Sequence, residues 1–168
     1  MNNKMPLYGP IQLKHLPINQ LVHWGDHLSV RHPGIDAQHK AIFIMGTRIF
    51  EKWRCGGNAD QLRRSVDKIA LLMKFHFSYE EQLLAEIDYA DLAPHIVEHR
   101  SIIKDLEFFQ SHFPSFANGL ARPAKSLLAP SWPAMKTVLG FTIGHVASCD
   151  MMFASTLSAS QDWLQGTS

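Results

Sequence analysis

Residues 62–84 read Leu-Arg-Arg-Ser-Val-Asp-Lys-Ile-Ala-Leu-Leu-Met-Lys-Phe-His-Phe-Ser-Tyr-Glu-Glu-Gln-Leu-Leu. Within them Leu62, Val66, Ile69, Met73, His76, Glu80 and Leu83 recur in alternating steps of four and three, the spacing of one face of a bundle helix. Arg63, Arg64, Asp67, Lys68 and Lys74 fall elsewhere around the same helix. The seam is apolar except for His76 and Glu80, which stand one helical turn apart. A helix over Ala59 to about Ile87 follows from this pattern.

The pattern repeats outward in both directions. From Asp36 to Trp53, His39, Ile42, Phe43, Gly46, Ile49, Phe50 and Trp53 share a face, with Asp36 placed to cap the helix and Cys55-Gly56-Gly57-Asn58 to end it. From Leu92 to about Phe113, the face carries Leu92, His95, Ile96, His99, Ile102, Ile103, Leu106 and Phe109, with Pro94 in the tolerant first turn. A fourth helix is expected from Ala134 to about Leu164, with Met135, Val138, Thr142, His145, Val146, Cys149 and Phe153 near one side. Pro114 to Pro133 reads as a proline-broken connection containing a short helical turn. No strand alternation and no internal repeat is visible. The expected fold class is all-α, an antiparallel up-down-up-down four-helix bundle over residues 34–168. Residues 1–33, with four prolines and no sustained period, read as an irregular N-terminal arm packed on the bundle through Leu21, Val22, Trp24 and Leu28.

Composition narrows the partners. The 168 residues suit one domain with a proper core. Lys plus Arg is 16 and Asp plus Glu is 15, so no basic excess points to nucleic acid. No apolar run approaches a membrane span, and Met1–Gln20 has no long apolar stretch, so neither a membrane segment nor a signal peptide is expected and a cytoplasmic location is. Cys55 and Cys149 belong to no CxxC, which leaves zinc ribbons, iron–sulfur sites and thioredoxin-like motifs unsupported.

The informative residues are polar groups on apolar faces. His39 lies on the first helix, His76 and Glu80 on the second, His95 and His99 on the third, and His145 on the fourth, with Asp150 five residues later. Any one of them alone reads as a hydrogen-bonded core residue. Together they aim nitrogen or oxygen at one bundle axis from all four helices, and each, buried without a partner, would cost about 1–3 kcal/mol. A shared metal removes that cost. Spacing accounts poorly for Asp150, since five residues turn a helix by about 500° and leave it some 140° around from His145. Approach from the flank and a π-type widening both answer the problem.

Asp36-Ala37-Gln38-His39-Lys40, His76-Phe77-Ser78-Tyr79-Glu80-Glu81, His95-x3-His99 and His145-x4-Asp150 together resemble the hemerythrins, and among them the bacterial single-domain members. The likeness runs from about Trp24 to Phe153, and all seven ligand positions match in type, order and spacing. It implies a non-haem site of two iron ions. His95, His99 and His145 would hold one, His39 and His76 the other, and Glu80 and Asp150 would bridge them beside an oxo or hydroxo group. On that count eleven of the twelve positions of two octahedral ions are filled, leaving one open for dioxygen or a similar small ligand on the two-histidine iron.

Ile42, Phe77, Phe141, Thr142 and Val146 are the expected lining of the open position. Two of them depart from the family pattern: Phe141 stands where Trp is usual, and Thr142 where Leu is common. A hydroxyl at 142 is expected to change the lifetime of the oxygen-bound form. The resemblance implies a binder used in oxygen storage, delivery or sensing rather than an enzyme. The rival readings are a di-iron enzyme of peroxidase or oxidase type, a nitric oxide or redox sensor, and a structural zinc bundle. The Glu-x-x-His motifs of di-iron carboxylate enzymes are missing at the relevant places, and five histidines with two carboxylates overfill a tetrahedral zinc site. No output domain is expected after the fourth helix. The arm and the Pro114–Pro133 segment are the candidate surfaces for a protein partner.

Overall fold

A computed structural model describes residues 24–55, 59–120 and 140–166, with backbone alone at 53–54, 59, 113–120, 141–142 and 161–166. The chain is all-α. Helix α1 spans Pro33–Arg54, α2 Ala59–Glu86 and α3 Leu92–Leu120; a π-helical turn over Gly140–Gly144 and a 3₁₀ turn over Asp150–Met152 lead into α4, Ala154–Gly166. Cross-helix contacts give the directions. Gln38 and Lys52 of α1 meet His76 and Ser65 of α2, while Asp67 and Lys74 of α2 meet Gln110 and Glu107 of α3. Residue numbers rise on one helix as they fall on the next, so both pairs are antiparallel, and the π turn packs back on α1. The helices form the antiparallel four-helix bundle expected from the sequence. Among the described residues, no helix is long and apolar enough to cross a membrane.

The start of α1 lies three residues earlier than Asp36. Pro33 opens it, its fixed φ suiting a first helical position and its missing N–H costing nothing there. Asp36 instead reaches back: it accepts from the Ser29 hydroxyl at 2.6 Å and from the Val30 N–H at 2.9 Å. Those bonds fold residues 24–32 onto the bundle, with Leu28 and Val30 buried and Trp24 edge-on to Phe43. Leu21 and Val22, the other expected anchors, lie outside the described residues.

Helix α2 ends in a Schellman-type cap. Asp88 takes a left-handed conformation (φ 51°), the Tyr89 N–H bonds the Leu84 carbonyl at 3.0 Å, and the Asp88 N–H bonds Ala85 at 3.2 Å. Leu84 and Tyr89 pack in one apolar cluster, the contact that accompanies this cap.

Two corrections concern α3 and the fourth helix. Helix α3 does not stop at Phe113 but continues through Pro114 to Leu120. A proline deletes one N–H and crowds the preceding turn, yet its own φ is helical, so the residues after it need not leave the helix. The fourth helix is not continuous from Ala134: residues 121–139 lie outside the described set, and from Gly140 onward the chain changes helical type twice before α4.

Two apolar clusters fill the bundle. Ile42, Ile49, Val66, Met73, Ile102 and Leu106 belong to the larger, and Val30, Ile35, Leu84, Phe153 and Leu157 form the smaller. On each helical segment the buried histidines and carboxylates fall in sequence between members of the two clusters.

Asp88→Gly is expected to stabilise the protein by about 1 kcal/mol, because it relieves a left-handed non-glycine residue and removes a negative charge from a helix C-terminus. Asp88→Val should do the reverse. Urea unfolding midpoints of the two variants check both signs.

Candidate metal centre

Seven polar side chains are buried at the centre of the bundle: His39, His76, Glu80, His95, His99, His145 and Asp150. They are the seven singled out from the sequence, and the fold brings all of them together. His39 comes from α1, His76 and Glu80 from α2, and His95 and His99 from α3, each pair one turn apart on the inner face.

The last two come from the irregular segment, and its backbone explains how. The Ser148 N–H, at 3.1 Å, and the Cys149 N–H, at 2.8 Å, both bond the His145 carbonyl. The Gly144 carbonyl, passed over by the Ser148 N–H, is taken by the Ser148 hydroxyl. The helix is therefore broken between His145 and Asp150, and Asp150 turns inward at the start of the 3₁₀ turn. The π-helical widening lies just before His145, not between the two ligands.

Each carboxylate faces two sets of imidazoles. Asp150 presents Oδ1 to His145 Nε2 at 2.9 Å and to His95 Nε2 at 3.9 Å, and Oδ2 to His39 Nε2 at 3.1 Å and His76 Nε2 at 3.5 Å. Glu80 presents Oε1 to His95 Nε2 at 3.2 Å, and Oε2 to His76 Nε2 at 3.1 Å and His99 Nε2 at 3.7 Å. One donor atom each from Glu80, His95, His99, His145 and Asp150 lies within 4.8 Å of the others, and so does one each from His39, His76 and Asp150.

These approaches are close, but most are not hydrogen bonds. The Nε2 atoms of His39, His76, His99 and His145, Oε2 of Glu80 and both oxygens of Asp150 are buried without an aligned partner. Lone pairs that converge without donating to one another are costly unless a cation sits among them. The donor set of five imidazoles and two carboxylates suits a first-row transition metal, and its groups form two overlapping clusters joined by Asp150.

Outer contacts orient the rings. The Gln38 carbonyl oxygen accepts from His76 Nδ1 at 3.0 Å, and the Glu81 carboxylate from His99 Nδ1 at 2.8 Å. Both leave the Nε2 lone pair pointing inward. Phe77 stacks on His99 (centroids 3.8 Å apart, planes 10° from parallel) and stands edge-on to His145 at 5.2 Å. Trp24 lies against His39 and Phe153 edge-on to His95. Of the expected pocket lining, Ile42, Phe77 and Val146 are buried in the larger apolar cluster. The side chains of Phe141 and Thr142 lie outside the described residues.

Sequence reading passed over Gln38, Glu81, Trp24 and Phe153 as contacts of the site. Gln38 and Glu81 adjoin ligands in the chain, which is the one signal they offer. Cys149 is buried and lies with Glu98 within reach of His145. His112 is exposed and lies far along α3 from the site.

The buried histidines and carboxylates shift one another's pKa values strongly. Burial works against charge on His76, but Asp150 and then Glu80 overcome it and raise its pKa to about 9. Burial likewise opposes charge on His145, and Asp150 raises it to about 10. Burial, reinforced by the neighbouring His145 and His95, lowers His99 to about 2. Asp150 is held well below the usual carboxylate range, because the surrounding histidines, His145 foremost, overcome its burial.

Comparison with known proteins agrees with this geometry. The family model described as the hemerythrin HHE cation binding domain matches residues 33–154, and the chain belongs to the hemerythrin family. It is 34% identical over 89 residues to a bacteriohemerythrin of Clostridium acetobutylicum, covering 51% of this chain and 69% of that protein. It is 25% identical over 124 residues to a bacteriohemerythrin of Methylococcus capsulatus, covering 74% of this chain and 86% of that protein. No solved structure matches the chain significantly.

The raised pKa values of His76 and His145 give a signed prediction for protein stripped of metal. Groups raised from 6.5 stabilise the fold fully below pH 6.5 and lose that contribution as pH rises through about 9 and 10. His99 acts in the opposite sense, its contribution present above pH 6.5 and lost as pH falls below it. Thermal unfolding in chelator should therefore show stability falling between pH 7 and 10.5. Metal-loaded protein, whose ligating histidines are neutral at Nε2 throughout, should show a smaller fall.

Proposed function

We propose that this chain is a non-haem di-iron protein that binds dioxygen reversibly, in storage, delivery or sensing of oxygen. The observation that carries the reading is the double facing of Glu80 and Asp150. Asp150 turns Oδ1 toward His95 and His145 and Oδ2 toward His39 and His76, while Glu80 turns Oε1 toward His95 and Oε2 toward both His76 and His99. Two cations side by side need shared anionic ligands, and this arrangement supplies two. The iron pair, when bound, supplies the electrons that hold dioxygen.

The chain's own residues do the rest. Three imidazoles leave little room for an added ligand on one ion, while His39 and His76 leave the other with fewer protein donors, so the small ligand belongs there. Phe77, Ile42 and Val146 keep the surroundings apolar, which favours dioxygen over water and slows proton delivery. Phe77 also locks the planes of His99 and His145. Nitrogen-rich ligation sets the site apart from di-iron oxygenases, and the bacteriohemerythrin relatives support a binding role. The expected place of action is the cytoplasm.

Metal analysis after expression with ample iron should give two irons per chain, and anaerobically reduced protein should gain a visible absorption on exposure to air and lose it under vacuum. One zinc and no iron, or a colour change that never reverses, contradicts the reading. Steady turnover of peroxide with an added reductant would favour the enzyme instead.

Replacing a ligand should separate site from surface. His99→Ala is expected to lose metal and to lower stability by about 2–5 kcal/mol, since it removes a buried ligand ring stacked on Phe77 and leaves a cavity. His112→Ala should leave both unchanged. Iron content and urea unfolding of the pair check the assignment, and equal effects would refute it.

A further inference from the structure

The two halves of the centre are braced from behind by chemically different groups. Behind the three-histidine half, the acceptor for His99 Nδ1 is a carboxylate, Glu81, at 2.8 Å. Behind the two-histidine half, the acceptor for His76 Nδ1 is the neutral amide oxygen of Gln38, at 3.0 Å. Nδ1 of His39 in that half and Nδ1 of His145 in the other are both buried without a hydrogen-bond partner among the described residues, so the difference between the halves lies in Glu81 and Gln38. A carboxylate draws on an N–H more strongly than an amide does, so the opposite nitrogen becomes the better electron donor. It also adds a negative charge behind one metal position and none behind the other.

We propose that Glu81 and Gln38 are positioning residues that make the two metal positions unequal in strength, so that a divalent metal fills the three-histidine position first and tightly and the two-histidine position second and weakly. The proposal rests on the two-metal reading above. Three imidazoles against two set the direction, and the outer acceptors widen the gap. Its consequence is functional: the position with room for a small ligand is also the one whose metal is most easily lost. Glu81 is suited to such adjustment because its side chain is about a third exposed, whereas the histidine it braces is almost wholly buried. A change at Glu81 therefore alters charge at the centre without opening the core.

The test is titration of the metal-stripped full-length chain with Co²⁺ under anaerobic conditions, against a chromophoric competitor, with the visible ligand-field spectrum followed at each addition. The native protein should bind two Co²⁺ in two resolved phases. Glu81→Gln, which keeps an acceptor but removes the charge, should weaken the tight phase by about 10-fold, and Glu81→Ala by about 10–100-fold, with the weak phase little changed. Gln38→Glu should act oppositely, tightening the weak phase and narrowing the gap. Glu107→Gln, on the exposed pair with Lys74, should move neither phase. Circular dichroism of each stripped variant confirms that it is folded, and Gln38→Glu gives an independent reading should a Glu81 variant fail to fold. Two equal phases in the native protein, or a Glu81→Gln variant in which both phases shift alike or neither shifts, overturn the proposal alone. Saturation at one Co²⁺ per chain overturns the two-metal reading and the proposal with it.

Discussion

The structure turns on the placement of one carboxylate. Asp150 is fully buried, and its two oxygens face four imidazoles, one each from α1, α2 and α3 and one from its own irregular segment. A buried carboxylate in an apolar bundle would be prohibitive by itself. Here the surrounding histidines, His145 foremost, hold its pKa well below the usual carboxylate range, and together with Glu80 it ties the His39–His76 half to the His95–His99–His145 half. The local cost of placing it is visible in the backbone. The chain gives up regular α-helix between Gly140 and Phe153, and Ser148 supplies a hydroxyl where an N–H has been diverted.

Around that group the fold is a stack of three layers along the bundle axis. An apolar cluster lies on each side of a polar belt; α1, α2 and α3 contribute to all three, and α4 to the smaller cluster alone. Burial of the two apolar layers holds the helices in antiparallel register, and register places the belt residues at one height. The polar belt does not drive folding. It is held in place by the apolar layers and in return admits only the arrangement in which its charges meet. Phe77 joins the two roles: it is a core residue by burial, and it touches the rings of His76, His99 and His145.

Much of this could be read from the chain because helical period converts spacing into direction. His76 with Glu80, and His95 with His99, fall on seams already defined by Leu62, Val66, Ile69 and Met73 on one helix and Ile102 and Leu106 on the next. What period cannot convey is contact across helices. Gln38 and Glu81 lie one residue off the seam positions, where a solvated role is the ordinary reading, and only the packing of α1 on α2 and α2 on α3 brings them to the outer nitrogens. Asp150 resisted for a different reason, since the rule of about 100° per residue fails where the helix changes type. Pro114 misled in the opposite direction, because a proline signals a boundary more strongly than its single missing N–H requires. The pocket residues at 141 and 142 stay readings of sequence.

The central claim is that Glu80 and Asp150 each span two metal ions. Anomalous diffraction at the iron edge from crystals of the iron-loaded protein tests it most directly. Two peaks of comparable height are predicted, one among His95, His99 and His145, the other beside His39 and His76, with an oxygen of each carboxylate on each ion. A single peak, or two peaks with Asp150 bound to one ion only, would contradict the account.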